Sequence, residues 1–376
     1  MQLSDFDDIR PYSENEMKEA FDRILADRQF DRVLRGFCPL PKGIRNWLLR
    51  MLFVGIKTPL DFQKRLMKPL VCYVFRKATT GHSFLFPKSL DRRGNYTFMS
   101  NHRDIVLDSA FLDILLLKAG FSTTVEIAIG NNLLIYPWIE TFVRMNKSFV
   151  VKRGLSPKET LKSSIHMSQY MHFAINEKHE NIWIAQREGR AKDSDDRTQE
   201  AVLKMLNMGG PTSGRTTADI IENLRHMHIV PLAISYEYDP CDYLKAKEFQ
   251  CKRDILGWKK SKQDDLDNMK TGIWGKKGHV HYQAADCIND WLDTLDPNAI
   301  DKADIFRIVA EHIDHEIHKN YRIYDINRDA LAGKTNAYIE SRIKMVDVEN
   351  PDVPFLREKI TAMYANPLRN YEAAIQ

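Results

Sequence analysis

The stretch YTFMSNHRDIVLDSAFLDILLLKA, residues 96–119, decides the reading of the fold. YTFMS (96–100) reads as a short strand, NHRD as a polar turn, and the apolar residues from about 106 to 119 as a helix. Working outward, TVEIAI (124–129), SFVV (148–151), NIWIAQ (181–186), HIVPLAIS (228–235) and HVHYQ (279–283) read as further strands. Helical stretches fall at about 157–177, 195–207, 217–227 and 240–250. Several strands are apolar on both faces, so the alternation predicts an α/β fold whose largely parallel central sheet is flanked by helices. In such sheets catalytic residues sit beyond the carboxyl ends of strands, the place His102 occupies.

Ser13-Glu14-Asn15-Glu16 is a capping box that predicts a helix carrying Met17, Phe21, Ile24 and Leu25 and reaching Val33. Gly36, Pro39 and Pro41 end it, and two more helical patterns follow at 43–57 and 60–77. Residues 252–278 read as a charged, aperiodic excursion, and from about 299 the pattern is helical again, with a break at Pro351 and Pro354. The expected organisation is an N-terminal helical region (1–95), an α/β core (96–290) and a C-terminal helical region (291–376).

Apolar content of 43% against 28% charged residues suffices to bury a real core and excludes a disordered chain. The net charge of +4 is too small to indicate a nucleic-acid partner, but its distribution is informative. From Lys42 to Lys77 the bases are Lys42, Arg45, Arg50, Lys57, Lys64, Arg65, Lys68, Arg76 and Lys77, against the single acid Asp61. They interleave with WLLRMLFVGI (47–56) and PLVCYVF (69–75), a texture suited to a membrane interface with anionic headgroups. An ordinary helix pair packed on the core is the alternative. No apolar run approaches the roughly 18–20 residues that cross a bilayer, and MQLSDFDDIR lacks the layout of a signal peptide. Cysteines 38, 72, 241, 251 and 287 form no C-x-x-C pair. The expectation is a cytoplasmic protein, peripheral on the cytoplasmic face of a membrane.

His102-Arg103-Asp104 matches the start of a kinase catalytic loop, but Ser109 stands where the magnesium-binding asparagine belongs, and no D-F-G, A-P-E or G-x-G-x-x-G accompanies it. GGPTSGRT (209–216) offers Arg215 where a P-loop needs lysine and follows a helix instead of a strand, so it reads as a turn capping the next helix at Thr216 or Thr217. His312, His315 and His318 miss the four-residue spacing of a zinc helix and read as solvated; no metal site is expected. No G-x-S-x-G elbow occurs.

What remains is His102 with Asp104 and Asp108 nearby, a set able to take a proton from a hydroxyl as it attacks a carbonyl. Lys152-Arg153-Gly154 closes the strand SFVV and Arg187-Glu188-Gly189-Arg190 closes NIWIAQ. Basic turns at strand ends converge in space, and arginine suits bidentate phosphate binding.

Four blocks, in order from about Tyr96 to Pro231, resemble the glycerolipid acyltransferase family: SNHRDIVLD, SFVVKRG, IAQREGRAKDS and HIVPLAIS. GHVHYQAADCI is similar to the strand that follows in that family. The resemblance implies transfer of a fatty acyl chain from acyl-CoA or acyl carrier protein to a hydroxyl of glycerol-3-phosphate or 1-acylglycerol-3-phosphate, with no tightly bound cofactor. It implies His102 as general base and Asp108 as its orienter, with Asp104 the alternative, because five residues separate His102 from Asp108 where the family has four. The substrate-binding residues would be Arg103, Lys152, Arg153, Glu188, Gly189 and Arg190. Gln186-Arg187 replaces the family's usual Phe-Pro. The rival reading is a non-catalytic lipid- or membrane-binding protein on the same scaffold.

Overall fold

The computed structural model describes residues 1–376, the side chains of Phe37 and Lys262 excepted. Seven strands form one sheet: β1 (Gly81–Leu85), β2 (Thr97–Ser100), β3 (Val125–Gly130), β4 (Ser148–Val151), β5 (Asn181–Ala185), β6 (Ile229–Tyr236) and β7 (His279–Ala284). Their order is β1-β7-β6-β2-β5-β3-β4. Neighbours are parallel except β6 and β7, which run antiparallel. The fold is therefore α/β with a largely parallel sheet flanked by helices. Every residue of β2 and β6 is buried, which is why both read as unbroken apolar runs without polar alternation.

One face of the sheet is covered by helices Lys68–Ala78 and Leu107–Lys118, with Phe75, Phe111 and Leu115 packed against Phe98, Trp183 and Tyr282. The other is covered by Pro157–Asn176, Glu200–Met208, Thr217–Arg225 and Ile305–Lys319, where Tyr170, Leu206, Ile220 and Val309 meet Met99, Ile182 and Ile229. Helices Asp242–Asp254, Asp325–Leu331 and Val353–Ile375 share a further cluster around Ala246, Leu356 and Ile360. At the other end, Met17, Phe21, Phe62 and Met145 hold the N-terminal helices to helix Pro137–Met145.

The structure departs from the sequence reading in several places. Strand β1 lies inside the stretch read as N-terminal and helical; it pairs with β7 from Gly81↔His279 to Leu85↔Gln283. As a half-exposed edge strand of only GHSFL it carries no apolar period to detect. Helix Pro137–Met145 likewise had no counterpart. The helix opened by Ser13 stops at Ala26, because Asp27 leaves the helical conformation and its carboxylate accepts from Gln29 N (2.8 Å) and Phe30 N (2.9 Å) to cap a second helix, Arg28–Phe37. Val33 belongs to that second helix. The helix expected from 195 begins at Glu200, since Asp195 and Asp196 lie in the preceding loop.

The charged excursion contains helix Lys262–Trp274, started by Ser261 Oγ, which accepts from Asp264 N at 3.1 Å. Its inward residues include Asn268, Gly272 and Ile273, too polar a set to show an apolar period. Among the described residues, no helix is long and apolar enough to cross a membrane.

Candidate active site

Ser100, the last residue of β2, is in register with Ala185, the last of β5. The turns bearing His102 and Arg187 therefore leave the sheet side by side. Asn101 continues the sheet with its side chain: its amide donates to Ile234 O (2.9 Å) and its carbonyl accepts from Ile234 N (2.8 Å). That double bond pins the backbone just before His102.

His102 Nδ1 lies 2.8 Å from Asp108 Oδ2. The same oxygen accepts from Arg103 N (2.6 Å) and Asp104 N (3.0 Å), and Asp108 Oδ1 accepts from the Tyr236 hydroxyl (2.9 Å). The loop thus wraps around the carboxylate, and the five residues between His102 and Asp108 bring the two side chains together. Asp108 is buried, and these donors compensate its charge. Burial, reinforced by the Asp108 charge, drives the Tyr236 hydroxyl well above its ordinary pKa, so it remains a donor. The Tyr282 hydroxyl donates to Asp108 O at 3.0 Å. With Nδ1 held, Nε2 is the ring nitrogen left to exchange a proton. The edge of the ring pair with Trp183, at 5.4 Å between centroids, fixes the imidazole from the side.

Asp104 has a different task. Its Oδ1 accepts from Val106 N (2.9 Å) and Leu107 N (2.8 Å), capping helix Leu107–Lys118. Burial raises its pKa, against the opposing charge of Lys277. It is the capping carboxylate, and Asp108 is the one facing the imidazole.

His102 opens onto a groove of about 1420 Å³. Its lining includes the apolar residues Val74, Leu107, Ile127, Ile129, Phe142 and Val143 among others. The lining also carries the bases Lys152, Arg153, Arg187, Arg190, Lys192, Lys245 and Lys260 and the acids Glu188, Asp193, Glu248 and Asp265, with Gly189 and Asn268. Arg190 Nη2 donates to Asn268 Oδ1 at 2.9 Å, while its buried Nη1 has no hydrogen-bond partner among the described residues. Arg187 Nε is in the same condition. Arg153 Nη1 stands 3.5 Å from Glu188 Oε1, and Lys152 Nζ is paired with Asp8 Oδ2 at 2.5 Å. Gly189 takes φ +70°, a conformation that favours glycine and turns the backbone between the two arginine-bearing positions.

Five of the six expected substrate-binding residues line this groove: Lys152, Arg153, Glu188, Gly189 and Arg190. Arg103 does not. Its guanidinium is buried 2.7 Å from Asp196 Oδ2 and lies over the Tyr321 ring, on the opposite side of the chain from its neighbour His102. Sequence reading missed Tyr236, Tyr282, Asn268, Lys192 and Lys245. The two tyrosines sit in strands where they pass for core residues, and Asn268 lies in the helix that the charged excursion concealed. The expected solvation of the histidine series also fails for two members: His312 stacks on Trp291 at 3.7 Å, and His318 is buried with Nε2 2.8 Å from Asp196 O. Thr216 caps helix Thr217–Arg225, accepting from Asp219 N at 3.1 Å.

Helix Lys42–Phe53 turns Ile44, Trp47, Leu48, Met51 and Leu52 to solvent, while Arg45 on its inner side is buried against Asp31. The apolar stripe follows helical spacing but faces outward.

No family model and no curated protein sequence matches the chain. Among solved structures, the 1-acyl-sn-glycerophosphate (LPA) acyltransferase PlsC from Thermotoga maritima is similar over 67% of this chain and 80% of that one, at 12% identity and a TM-score of 0.34.

Proposed function

We propose that this protein is an acyltransferase that moves a fatty acyl chain from a thioester, acyl-CoA or acyl carrier protein, to a hydroxyl of a glycerol-phosphate-type acceptor. The observation that carries the reading is the His102–Asp108 pair, 2.8 Å apart, with His102 lining a groove that offers both apolar surface and basic side chains. An acyl chain needs the first surface and a phosphate the second. His102 Nε2 accepts the proton of the acceptor hydroxyl while its oxygen attacks the thioester carbonyl. The carbon–sulfur bond then breaks, and the imidazolium returns the proton to the leaving sulfur, giving an ester and a free thiol. Asp108 holds the ring and offsets the imidazolium charge. Arg153, Arg187 and Arg190 receive the acceptor phosphate, and no acyl-enzyme is required.

The substrates are amphiphiles, and the outward apolar stripe of helix Lys42–Phe53, with Lys42 and Arg50 on the same helix, supports a resting place on an anionic membrane surface. Purified protein incubated with labelled acyl-CoA or acyl carrier protein and either glycerol-3-phosphate or lysophosphatidate should release thiol only when acceptor is present. His102→Ala should lose this activity and keep its thermal unfolding profile. Acceptor-dependent release at near wild-type rate in that variant overturns the mechanism, and vesicle binding with no turnover on any pair overturns the enzyme reading.

A further inference from the structure

We propose that the turn at residues 255–260, Ile255-Leu256-Gly257-Trp258-Lys259-Lys260, is a second membrane contact that inserts into an anionic lipid surface beside the groove that Lys260 lines; this rests on the acyltransferase reading only for its purpose. Leu256 is fully exposed and Ile255 about half exposed, at 52%, on a tight turn closed by Trp258 N donating to Ile255 O (3.1 Å). Gly257, at φ +75°, lets the chain reverse there. An aliphatic pair carried outward on a reversal of the chain, with an aromatic beside it, is convex where a protein-binding groove would be concave.

The charge around the tip selects the surface. CKRDILGWKKS, residues 251–261, holds four cations and one acid, and with the acids that other segments bring to Lys252, Arg253 and Lys260 the unneutralised charge at the tip is that of Lys259. Arg253 bonds to Asp254 and Asp352, Lys252 to Glu248 and Lys260 to Asp265, whereas Lys259 makes no ion pair among the described residues. Apolar tips dip into the boundary of headgroup and acyl chain, and the lysines behind them meet the phosphates. A protein partner needs roughly 800 Å² per side, far more than one turn presents. Lys260 lines the groove, and the next helix, Lys262–Trp274, contributes Asn268 and Met269 to its wall. Seating this tip in lipid sets the part of the groove lined by Lys260 at headgroup level, where an amphiphilic acceptor can pass from the bilayer to His102.

Sedimentation with vesicles of phosphatidylglycerol and phosphatidylcholine, against phosphatidylcholine alone, tests the proposal. The full chain should partition to the anionic vesicles more strongly, and Leu256→Asp should lower that partition about ten- to a hundredfold. Lys259→Glu should lower it about fivefold or more. Both sites are on the surface, so unfolding midpoints should not move. Unchanged partition in Leu256→Asp overturns the proposal. So does a pattern in which the variants bind vesicles normally yet lose transfer from acyl carrier protein alone, since the turn would then be a protein-docking surface. Absence of transfer on every substrate pair with loss of vesicle binding in Leu256→Asp would remove the acyltransferase reading and leave this one standing.

Discussion

Asp108 Oδ2 reaches Nδ1 of His102 at 2.8 Å, and the same oxygen gathers the amides of Arg103 and Asp104. One carboxylate therefore both shapes the loop and orients the ring. Asp108→Asn keeps the volume but removes the charge that favours an imidazolium, so turnover should fall about 10²–10⁴-fold in the thiol-release assay. Asp104→Asn should retain activity within about an order of magnitude, because its oxygen can still cap Val106 and Leu107. Equal losses in the two variants would contradict the assignment.

Arg103 is adjacent to the candidate base His102 yet committed to Asp196, at 2.7 Å, in the interior. Arg103→Ala leaves that carboxylate buried without its cation and should destabilise the protein by about 3–5 kcal/mol. Denaturant unfolding should show the loss, while the KM for acceptor in the folded fraction stays near the wild-type value. A selective rise in KM with unchanged stability would instead return Arg103 to the substrate site.

Arg190 holds Asn268 with Nη2 and keeps Nη1 free of protein partners. The residue lines the groove, where its guanidinium can meet a phosphate, and loss of a charge-assisted hydrogen bond costs about 1.5–3 kcal/mol. Arg190→Ala should raise the KM for a phosphate-bearing acceptor about ten- to a hundredfold, and kcat less. Asn268→Ala, which loosens the guanidinium without removing charge, should give a smaller rise in the same direction. A kcat loss with unchanged KM would move Arg190 out of the phosphate site.

Asp113 is fully enclosed, accepting from Val125 N (3.0 Å) and Gln63 Nε2 (2.9 Å), and burial pushes its carboxyl up to about 7. An acid whose pKa is higher folded than unfolded binds more protons when folded, so its contribution to stability is full below about 3.8 and is lost as pH rises toward 7. The contribution is on the order of 4 kcal/mol. Unfolding followed from pH 4 to 8 should show this decline, and Asp113→Asn should make it shallower, the remainder coming from Asp242 and Asp314, which burial raises to about 6. A variant with the wild-type slope would place the titration elsewhere.

The alternation of strands and helices could be read from the sequence because it rests on local runs: TFMS, SFVV and IVPLAIS carry consecutive apolar residues with only threonine or serine at their ends, and polar turns follow them. The position of His102 at a strand end, and of the arginine turns at two others, follows from the same runs. Elements whose signal is not local escaped. Strand β1 exists because β7 offers it an edge, and helix Lys262–Trp274 presents polar residues to a groove.

Sequence by itself determined the fold class, the candidate base and the basic turns that accompany it, since apolar periodicity and turn chemistry are properties of neighbouring residues. Tertiary structure decided which aspartate serves His102 and that Arg103 does not face the groove. It also brought Tyr236 to Asp108 and Asn268 to Arg190. Those outcomes depend on where side chains point once distant strands are in register. Consecutive residues leaving an extended chain face opposite ways, so His102 meets the groove while Arg103 meets Asp196 behind it.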